Sequence, residues 1–322
     1  MGEGEMRRDP TSGEAGAGAH LGAAGGICTR PPGASLVAPL HLAIPKGRMY
    51  DSVVRLLADA GLPLKVGARA YRPILGLAGF ETKILKPQTI VEMLHHGTRD
   101  VGFAGADWVA EKGAELVEVL DLGLDPVRLV AAAPRELLLG GALPAGRSWL
   151  VASEYESLTR QWIARNGLTA DVVRSYGATE VFPPEDADFI VDNTASGSTL
   201  VANGLEIFDT LLHSSTRLWA HPACWADPAR RERIEHLAML LRSVVDARSR
   251  VILELNVGAN DLERMVAILP CMKVPTVAPL HGGHGFAVKV AVQRKLVPEL
   301  IPVIRRNGGS DILVTEPSQI IP

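Results

Sequence analysis

The segment from Ala187 to Leu205 reads Ala-Asp-Phe-Ile-Val-Asp-Asn-Thr-Ala-Ser-Gly-Ser-Thr-Leu-Val-Ala-Asn-Gly-Leu. Its apolar run, Phe189 to Val191, follows several acidic residues and predicts a short buried strand. We expect this strand to stop at Asp192, because the residues up to Thr199 are small and rich in hydroxyl groups around Gly197. Apolar residues return at helical spacing at positions 200, 201 and 205, so a helix is predicted to begin where the loop ends.

A small-residue loop that ends at a helix N-terminus can hold a phosphate. The first N–H groups of a helix lack partners within the helix, and the helix dipole adds about half a positive charge there. Gly197 permits close approach to the backbone, and Ser196, Ser198 and Thr199 offer hydroxyl donors. Asp192 is unsuited to a phosphate and fits sugar hydroxyls or a magnesium-bound water. From composition alone, a loop whose hydroxyls only cap the helix is an equal alternative.

Length and composition narrow the class of protein. The 322 residues suffice for two or three domains, and 47% hydrophobic and 21% charged residues are ordinary for a globular protein. A net charge of −3 argues against a nucleic-acid partner. The sequence has no apolar run of about 18 residues, which argues against a membrane span. Cys28, Cys224 and Cys271 show no paired spacing and leave one odd cysteine, which favours a reduced, cytoplasmic setting.

The same segment carries a resemblance to a known family. Asp192, the run Ser196-Gly197-Ser198-Thr199-Leu200 and the run Asn203-Gly204-Leu205 are similar to the phosphoribosyl-pyrophosphate loop of the ATP phosphoribosyltransferases, which catalyse the first step of histidine biosynthesis. The acidic residue, the loop and the helix residues all keep the family's register. The resemblance implies that residues 196–200 bind the substrate, that Asp192 is catalytic, and that Asp192 contacts magnesium through a water.

A second motif lies near the beginning of the chain. Leu40 to Ile44 is a strand candidate, and Pro45-Lys46-Gly47-Arg48 follows it before a predicted helix. Two cations on a glycine-containing turn suit polyphosphate binding, although a solvated Lys-Arg turn is the simpler interpretation of the residues alone. The turn resembles the amino-terminal Pro-Lys-Gly-Arg signature of the same family, which implies catalytic roles for Lys46 and Arg48.

Four further substrate-binding residues are implied by the resemblance. Lys86 stands where the family has the arginine of Arg-x-x-Asp-Ile, and Thr89 replaces the acid, so a bidentate guanidinium is lost. Asp107 ends a segment similar to the family's Asp-Leu-Gly-Ile-Thr-Gly-x-Asp, with a helix N-cap as the alternative. Arg160, in a Tyr-x-x-Leu-Thr-Arg motif, neutralises phosphate or is an exposed helical charge. Glu180, in a Gly-x-x-Glu turn, holds ribose hydroxyls or begins a helix.

Residues 251–322 have the character of a separate module. Their apolar patterns predict the order strand-helix-strand-strand-helix-strand, which is typical of a ferredoxin-like domain. The segment Val274 to Leu280 is similar to the Ser-Pro-Thr-x-x-Pro-Leu of the regulatory domain in the long form of the family. The resemblance implies regulatory roles for Thr276 and for Glu254 and Asn256, which stand at positions of effector-facing residues.

The resemblance covers about residues 40–322 and implies an α/β fold. We expect a two-lobed, periplasmic-binding-protein-like (type II) catalytic unit and a ferredoxin-like α+β C-terminal domain. Residues 1–38 are rich in Gly, Ala, Arg and Pro and predict a disordered leader. The first lobe is expected at 39–134 plus 216–247, the second lobe with the phosphate loop at 135–215, and the regulatory domain at 248–322.

The implied reaction transfers phosphoribosyl from phosphoribosyl pyrophosphate to N1 of ATP and releases pyrophosphate, with Mg²⁺ as cofactor. The resemblance also implies inhibition by histidine and a homohexamer in equilibrium with dimers, without nucleic-acid or membrane partners. Two alternatives stay open. The first is a solute-binding module, because such modules share the two-lobed fold. The second is a catalytically weakened homologue that regulates another transferase subunit, and the departures at Lys86 and Thr89 are consistent with it.

Overall fold

The structure is a computed structural model that describes residues 38–67, 71–270, 272 and 274–321. The predicted leader lies outside the described residues up to position 37, as do Cys28 and Cys271. Of the described helices, none combines the length and the apolar character that a membrane crossing requires.

The secondary structure alternates strands and helices through most of the described chain. The strands are β1 (Leu40–Pro45), β2 (Leu64–Lys65), β3 (Ile74–Leu75), β4 (Phe80–Leu85), β5 (Val101–Gly105), β6 (Val117–Pro134), β7 (Ser148–Ser153), β8 (Thr169–Arg174), β9 (Phe189–Thr194), β10 (Leu205–Ala220), β11 (Arg250–Val257), β12 (Thr276–Pro279), β13 (Phe286–Gln293) and β14 (Gly309–Thr315). The helices are α1 (Arg48–Asp59), α2 (Pro87–His95), α3 (Ala106–Glu111), α4 (Glu156–Arg165), α5 (Ser198–Ala202), α6 (Pro222–Ala226), α7 (Pro228–Arg248), α8 (Leu262–Ile268) and α9 (Val297–Arg306).

Two long antiparallel strands join the lobes of the catalytic unit. The main sheet has the order β4-β1-β5-β10-β6-β9-β7-β8, with β10 and β6 at its centre. On one side β1 pairs in parallel with β4 and β5, and on the other β7 pairs in parallel with β8 and β9. Register shifts interrupt the β6–β10 ladder at several points, and such bulges let a strand pair bend and twist. The fold is therefore the two-lobed, periplasmic-binding-protein-like arrangement that was expected.

Each lobe buries apolar side chains on both faces of its part of the sheet. In the first lobe, α1 and α7 cover one face and α2 and α3 cover the other. In the second lobe, Trp149 and Phe189 of the sheet pack in one cluster with Trp162 of α4, and Leu200 of α5 packs on the opposite face. Such double coverage explains why the parallel strands read as nearly continuous apolar runs in the sequence.

The C-terminal domain is ferredoxin-like, as the element order predicted. Its antiparallel sheet has the order β12-β13-β11-β14. β11 alternates buried and partly exposed residues, and its buried residues pack on α8 and α9. The long helix α7 leads into this domain, and it begins where Asp227 accepts hydrogen bonds from the N–H groups of Ala229 and Arg230, which is typical of an Asp-Pro pair at a helix start.

Three details of the predicted loop region were wrong. Asp192 does not end its strand, because β9 continues to Thr194 and pairs there with β6. The helix after the loop is only five residues long, because Gly204, with φ of +72°, ends it. Leu205 is consequently not helical: it is the first residue of β10. The lobe boundaries stay a prediction, and that at 215/216 falls inside β10.

Candidate functional site

The phosphate loop connects β9 to the first turn of α5, and its own side chains shape it. Gly197 adopts φ of +84°, which a residue with a Cβ disfavours. Its N–H donates to Thr194 Oγ1 at 2.9 Å, so this amide is not available to a ligand. The amides of Thr199 and Leu200 stand in the first turn of α5 and find no acceptor among the described residues. The loop therefore offers amides just after the glycine rather than at it.

A cleft of about 270 Å³ opens beside this loop and is lined by half of the predicted catalytic and substrate-binding residues. Its lining residues are Arg48, Glu180, Asp192, Asn193, Thr194, Ala195, Ser196, Thr199 and Leu200. Arg48 comes from the start of α1 in the first lobe, whereas the loop and Glu180 belong to the second lobe. The two lobes thus bring one cation, two carboxylates and the loop hydroxyls to the same cleft.

Asp192 lies in this cleft with an unfavourable environment for its charge. Burial, together with the neighbouring carboxylates of Glu154 and Glu180, raises the pKa of its carboxyl to about 6. The N–H of Asn193, which donates to Asp192 Oδ1 at 2.7 Å, and the Thr179 side chain oppose the shift. A carboxylate with few donors in a cleft is a typical functional group.

A second, smaller cavity adjoins the first and centres on Asp107. The N-cap of α3 is Gly105, so the alternative role of Asp107 as an N-cap is wrong. Its buried carboxylate accepts hydrogen bonds from the hydroxyl of Tyr155 at 2.6 Å and from that of Ser214 at 2.7 Å. Asn193 Nδ2 donates to the Tyr155 hydroxyl at 2.8 Å, and burial beside the Asp107 charge raises the pKa of this phenol. The network joins α3 of the first lobe to β9 of the second.

The remaining predicted residues of the catalytic unit lie outside the loop cleft. Lys46 is exposed beside Tyr71, with its Nζ 5.5 Å from the ring centroid. Lys86 lines a cavity of about 250 Å³ at the start of α2. Arg160 lines another cavity, of about 370 Å³, with a half-exposed side chain whose guanidinium lies 3.9 Å from Glu156. Direct contact of these residues and of Asp107 with a substrate stays a prediction.

Sequence reasoning missed several residues that line the cavities around Lys86 and Arg160. Both cavities are lined by Trp108, Lys112, Glu154 and Arg174. Trp108 also stacks on Tyr155, with ring centroids 4.5 Å apart. Glu154 gave a signal in the sequence, because it directly follows the apolar strand β7, at the end where parallel strands present ligand-binding residues.

The predicted regulatory residues form a row across the open face of the C-terminal sheet. Lys289 Nζ lies 2.7 Å from Glu254 Oε1, and Lys289 is paired across the strands with Thr276. Asn256 donates to Asp311 Oδ2 at 3.0 Å, and this hydrogen bond lowers the pKa of the Asp311 carboxyl. The helices pack on the opposite face, so these polar side chains are accessible to an effector.

The fold and the site define a class: a two-lobed α/β protein with a loop of small, hydroxyl-rich residues in its cleft and a ferredoxin-like domain at its C-terminus. The family model described as "ATP phosphoribosyltransferase" matches residues 86–243, and the one described as "HisG, C-terminal domain" matches residues 247–318. The chain therefore belongs to the ATP phosphoribosyltransferase family, in the long form that carries the C-terminal domain.

Individual relatives agree with this assignment. The chain is 36% identical over 288 residues to an ATP phosphoribosyltransferase of Pelotomaculum thermopropionicum, covering 88% of this chain and 99% of that protein. It is 38% identical over 278 residues to one of Pelodictyon phaeoclathratiforme, covering 85% and 94%. Among solved structures, the ATP phosphoribosyl transferase (HisG:HisZ) complex from Thermotoga maritima superposes with a TM-score of 0.57 and 26% identity, over 64% of this chain and 98% of that chain.

Proposed function

We propose that this chain is an enzyme that joins ATP to phosphoribosyl pyrophosphate. The products are N1-(5-phospho-β-D-ribosyl)-ATP and pyrophosphate, which makes the reaction the first step of histidine biosynthesis. The main observation in support of the proposal is the loop cleft. There, Arg48 and Asp192 lie in the same cleft as several hydroxyl groups and two backbone N–H groups that have no acceptor among the described residues. The family assignment, which covers both the catalytic unit and the C-terminal domain, supports it.

The loop holds the 5-phosphate of the donor. The Thr199 and Leu200 amides and the Ser196 and Thr199 hydroxyls donate to the phosphate oxygens. Gly197 contributes its backbone conformation rather than its N–H, which is already bound to Thr194. Because this phosphate is remote from the bond that breaks, its binding energy orients the ribose C1 toward the attacking nitrogen.

The reaction at C1 needs no protein nucleophile, but it requires that the negative charge of the departing pyrophosphate be neutralised. Pyrophosphate departs with its bonding electrons, positive charge develops on the ribose, and the adenine N1 attacks C1 directly. Arg48, at the mouth of the cleft, stabilises the departing pyrophosphate, with Lys46 further out on the same turn. Asp192 and Glu180 hold the ribose hydroxyls.

The carboxylates that line the cleft fit a magnesium ion that arrives together with the phosphorylated substrate. The described residues contain no group of three or more metal-ligating side chains, so they form no closed protein cage. Magnesium typically binds through one or two carboxylates together with substrate phosphates and waters, which is what Asp192 and Glu180 offer. When bound, the ion would neutralise charge on the pyrophosphate.

Regulation and assembly are part of the proposal. Histidine binds at the open sheet face, where Thr276, Glu254 and Asn256 lie, and lowers activity. The active protein is a homo-oligomer, a hexamer in equilibrium with dimers. It acts in the cytoplasm, a placement that the odd number of cysteines in the sequence supports.

One assay tests the proposal against its alternatives. Purified protein is mixed with ATP, phosphoribosyl pyrophosphate and magnesium, product is followed by its ultraviolet absorbance, and histidine is then added. Product formation that histidine suppresses is expected. Binding of phosphoribosyl pyrophosphate without turnover would instead favour a solute-binding module. Inactivity alone combined with stimulation of a second transferase subunit would favour a regulatory homologue.

A further inference from the structure

Glu154 is a half-buried carboxylate at the junction of two cavities. It follows β7 directly, and it lines both the cavity of about 250 Å³ that holds Lys86 and the cavity of about 370 Å³ that holds Arg160. Within the part of the chain that the structure describes, no hydrogen bond and no ion pair of 4 Å or less involves its side chain. An unpaired carboxylate in such a position costs stability unless a ligand donates to it.

Two of the cations near Glu154 are already paired with other acidic side chains. Lys112 is paired with Glu92 at 2.6 Å. Arg174 is paired with Glu156 at 3.4 Å and lies over the ring of Tyr176. Burial raises the pKa of Glu154, and the positive charges of Arg174 and Lys86 only partly offset this effect.

Glu154 does not line the loop cleft, but it is near enough for its charge to act on a residue that does. Its charge is one of the causes that raise the pKa of Asp192, which lines that cleft. On its other side, the cavity shared with Lys86 carries the aromatic side chains of Trp108 and Tyr176, which suit a planar purine. With the donor on the loop, this aromatic cavity is the place that suits the attacking adenine.

The reaction creates a need for a base at this place. When adenine N1 forms a bond to the ribose C1, the positive charge spreads over N1, C6 and the 6-amino nitrogen. The N–H groups of that amino group thereby become acidic, and loss of one proton leaves a neutral imino product. A carboxylate next to the 6-amino group both stabilises the developing charge and accepts this proton.

We propose that Glu154 is a catalytic residue whose carboxylate accepts a hydrogen bond from the 6-amino group of ATP and takes a proton from it. This proposal rests on the proposed function. As the N1–C1 bond forms, the bond from C1 to pyrophosphate breaks and its electron pair leaves with the pyrophosphate oxygen. The 6-amino proton moves to Glu154, which afterwards returns it to solvent.

The test measures bond formation in a single turnover, with enzyme in excess over phosphoribosyl pyrophosphate, so that product release does not hide the chemistry. Glu154→Gln keeps an acceptor oxygen but cannot take the proton, and the rate should fall about 100-fold, the usual worth of a general base. Half-saturating concentrations of both substrates should change less than about threefold, since the contacts that bind them remain. Glu154→Asp should recover part of the rate.

Glu235→Gln is the control, because Glu235 lies on α7 outside these cavities and is paired with Arg231. Its single-turnover rate should stay near that of the wild type, and thermal unfolding of each variant verifies that it folds. An active wild type with an unaffected Glu154→Gln variant would overturn the role of Glu154 alone. A wild type that forms no product would overturn the proposed function and this inference together.

Discussion

Asp107 and Asp192 occupy adjoining cavities that share Arg48 and Asn193, yet the chain surrounds the two carboxylates very differently. Asp107 is buried and accepts hydroxyl hydrogen bonds from Tyr155 and Ser214. Asp192 accepts the adjacent N–H of Asn193, and burial and other acids raise its pKa to about 6. One acid is satisfied by the protein itself, and the other is left for a ligand.

The contrast separates acids that stabilise the fold from acids that cost stability. A buried carboxylate with strong hydroxyl donors ties its elements together, here across the two lobes. A raised pKa means that the folded chain prefers the protonated acid, so the ionised form of Asp192 destabilises the protein at neutral pH. Stability is given up at functional sites in this way when the group is needed for binding or chemistry.

The largest expected effect is that of Asp192→Asn. Loss of the carboxylate that faces the ribose should lower kcat/KM by about 100-fold or more. The same change should raise the free energy of unfolding by about 3 kcal/mol at pH 7.5, because an ionised, poorly solvated group is removed. Steady-state kinetics and urea unfolding of the same preparations measure both quantities.

The pH dependence of this gain follows from the two pKa values. The Asp192 pKa is about 6 in the folded chain against a model value of 3.8, so between these values the folded chain holds more protons than the unfolded chain. Wild-type stability therefore loses this contribution as pH rises from about 4 to 6. The advantage of Asp192→Asn should be full above pH 7 and should shrink by about half at pH 5. A gain that did not vary with pH would contradict the account.

The next largest effect is expected when one of the two cations of the amino-terminal turn is replaced by alanine. Arg48 lines both acid-containing cavities, whereas Lys46 lies beside Tyr71. Arg48→Ala should lower kcat/KM by about 100-fold, which is the typical loss of rate when one donor to the transition state is removed. Lys46→Ala should lower it about tenfold or less, since its charge is further out and screened. Equal losses would show that the turn moves when substrate binds.

The sequence was informative wherever a local pattern determines the structure. The strand before the loop, the Asp227 cap and the order of elements in the C-terminal domain follow from neighbouring residues. The network around Asp107 could not be predicted, because Tyr155 lies 48 positions away in the sequence and the contact depends on how the lobes meet. The start of β10 was missed for a related reason: Leu205 continues a helical spacing, and only its pairing with Pro134 makes it a strand residue.

Tyr155→Phe tests whether the hydrogen bonds to Asp107 stabilise the fold. It removes the hydroxyl that donates to Asp107 and leaves a buried carboxylate with one donor fewer. The free energy of unfolding should fall by about 2 kcal/mol, the cost of an unsatisfied buried charged group. Tyr176→Phe is the control, because this ring is 84% exposed and the change should stay within about 0.5 kcal/mol. Urea unfolding of both variants measures the difference, and equal stabilities would refute the structural role of the network.

The smallest effect concerns the backbone that carries the loop. At Gly197, φ is +84° and an added Cβ would lie 3.4 Å from Ile207 Cδ1, so Gly197→Ala should cost about 1 kcal/mol and lower kcat/KM about tenfold by shifting the amides of the next turn. Gly167 has φ of +61° with no atom within 4 Å of an added Cβ, and it lies beyond the end of α4. Gly167→Ala should therefore cost similar stability, again about 1 kcal/mol, but leave kcat/KM unchanged. If both variants lost activity equally, a general loss of stability would explain the result, and the loop beside Asp192 would not be the place where the substrate phosphate binds.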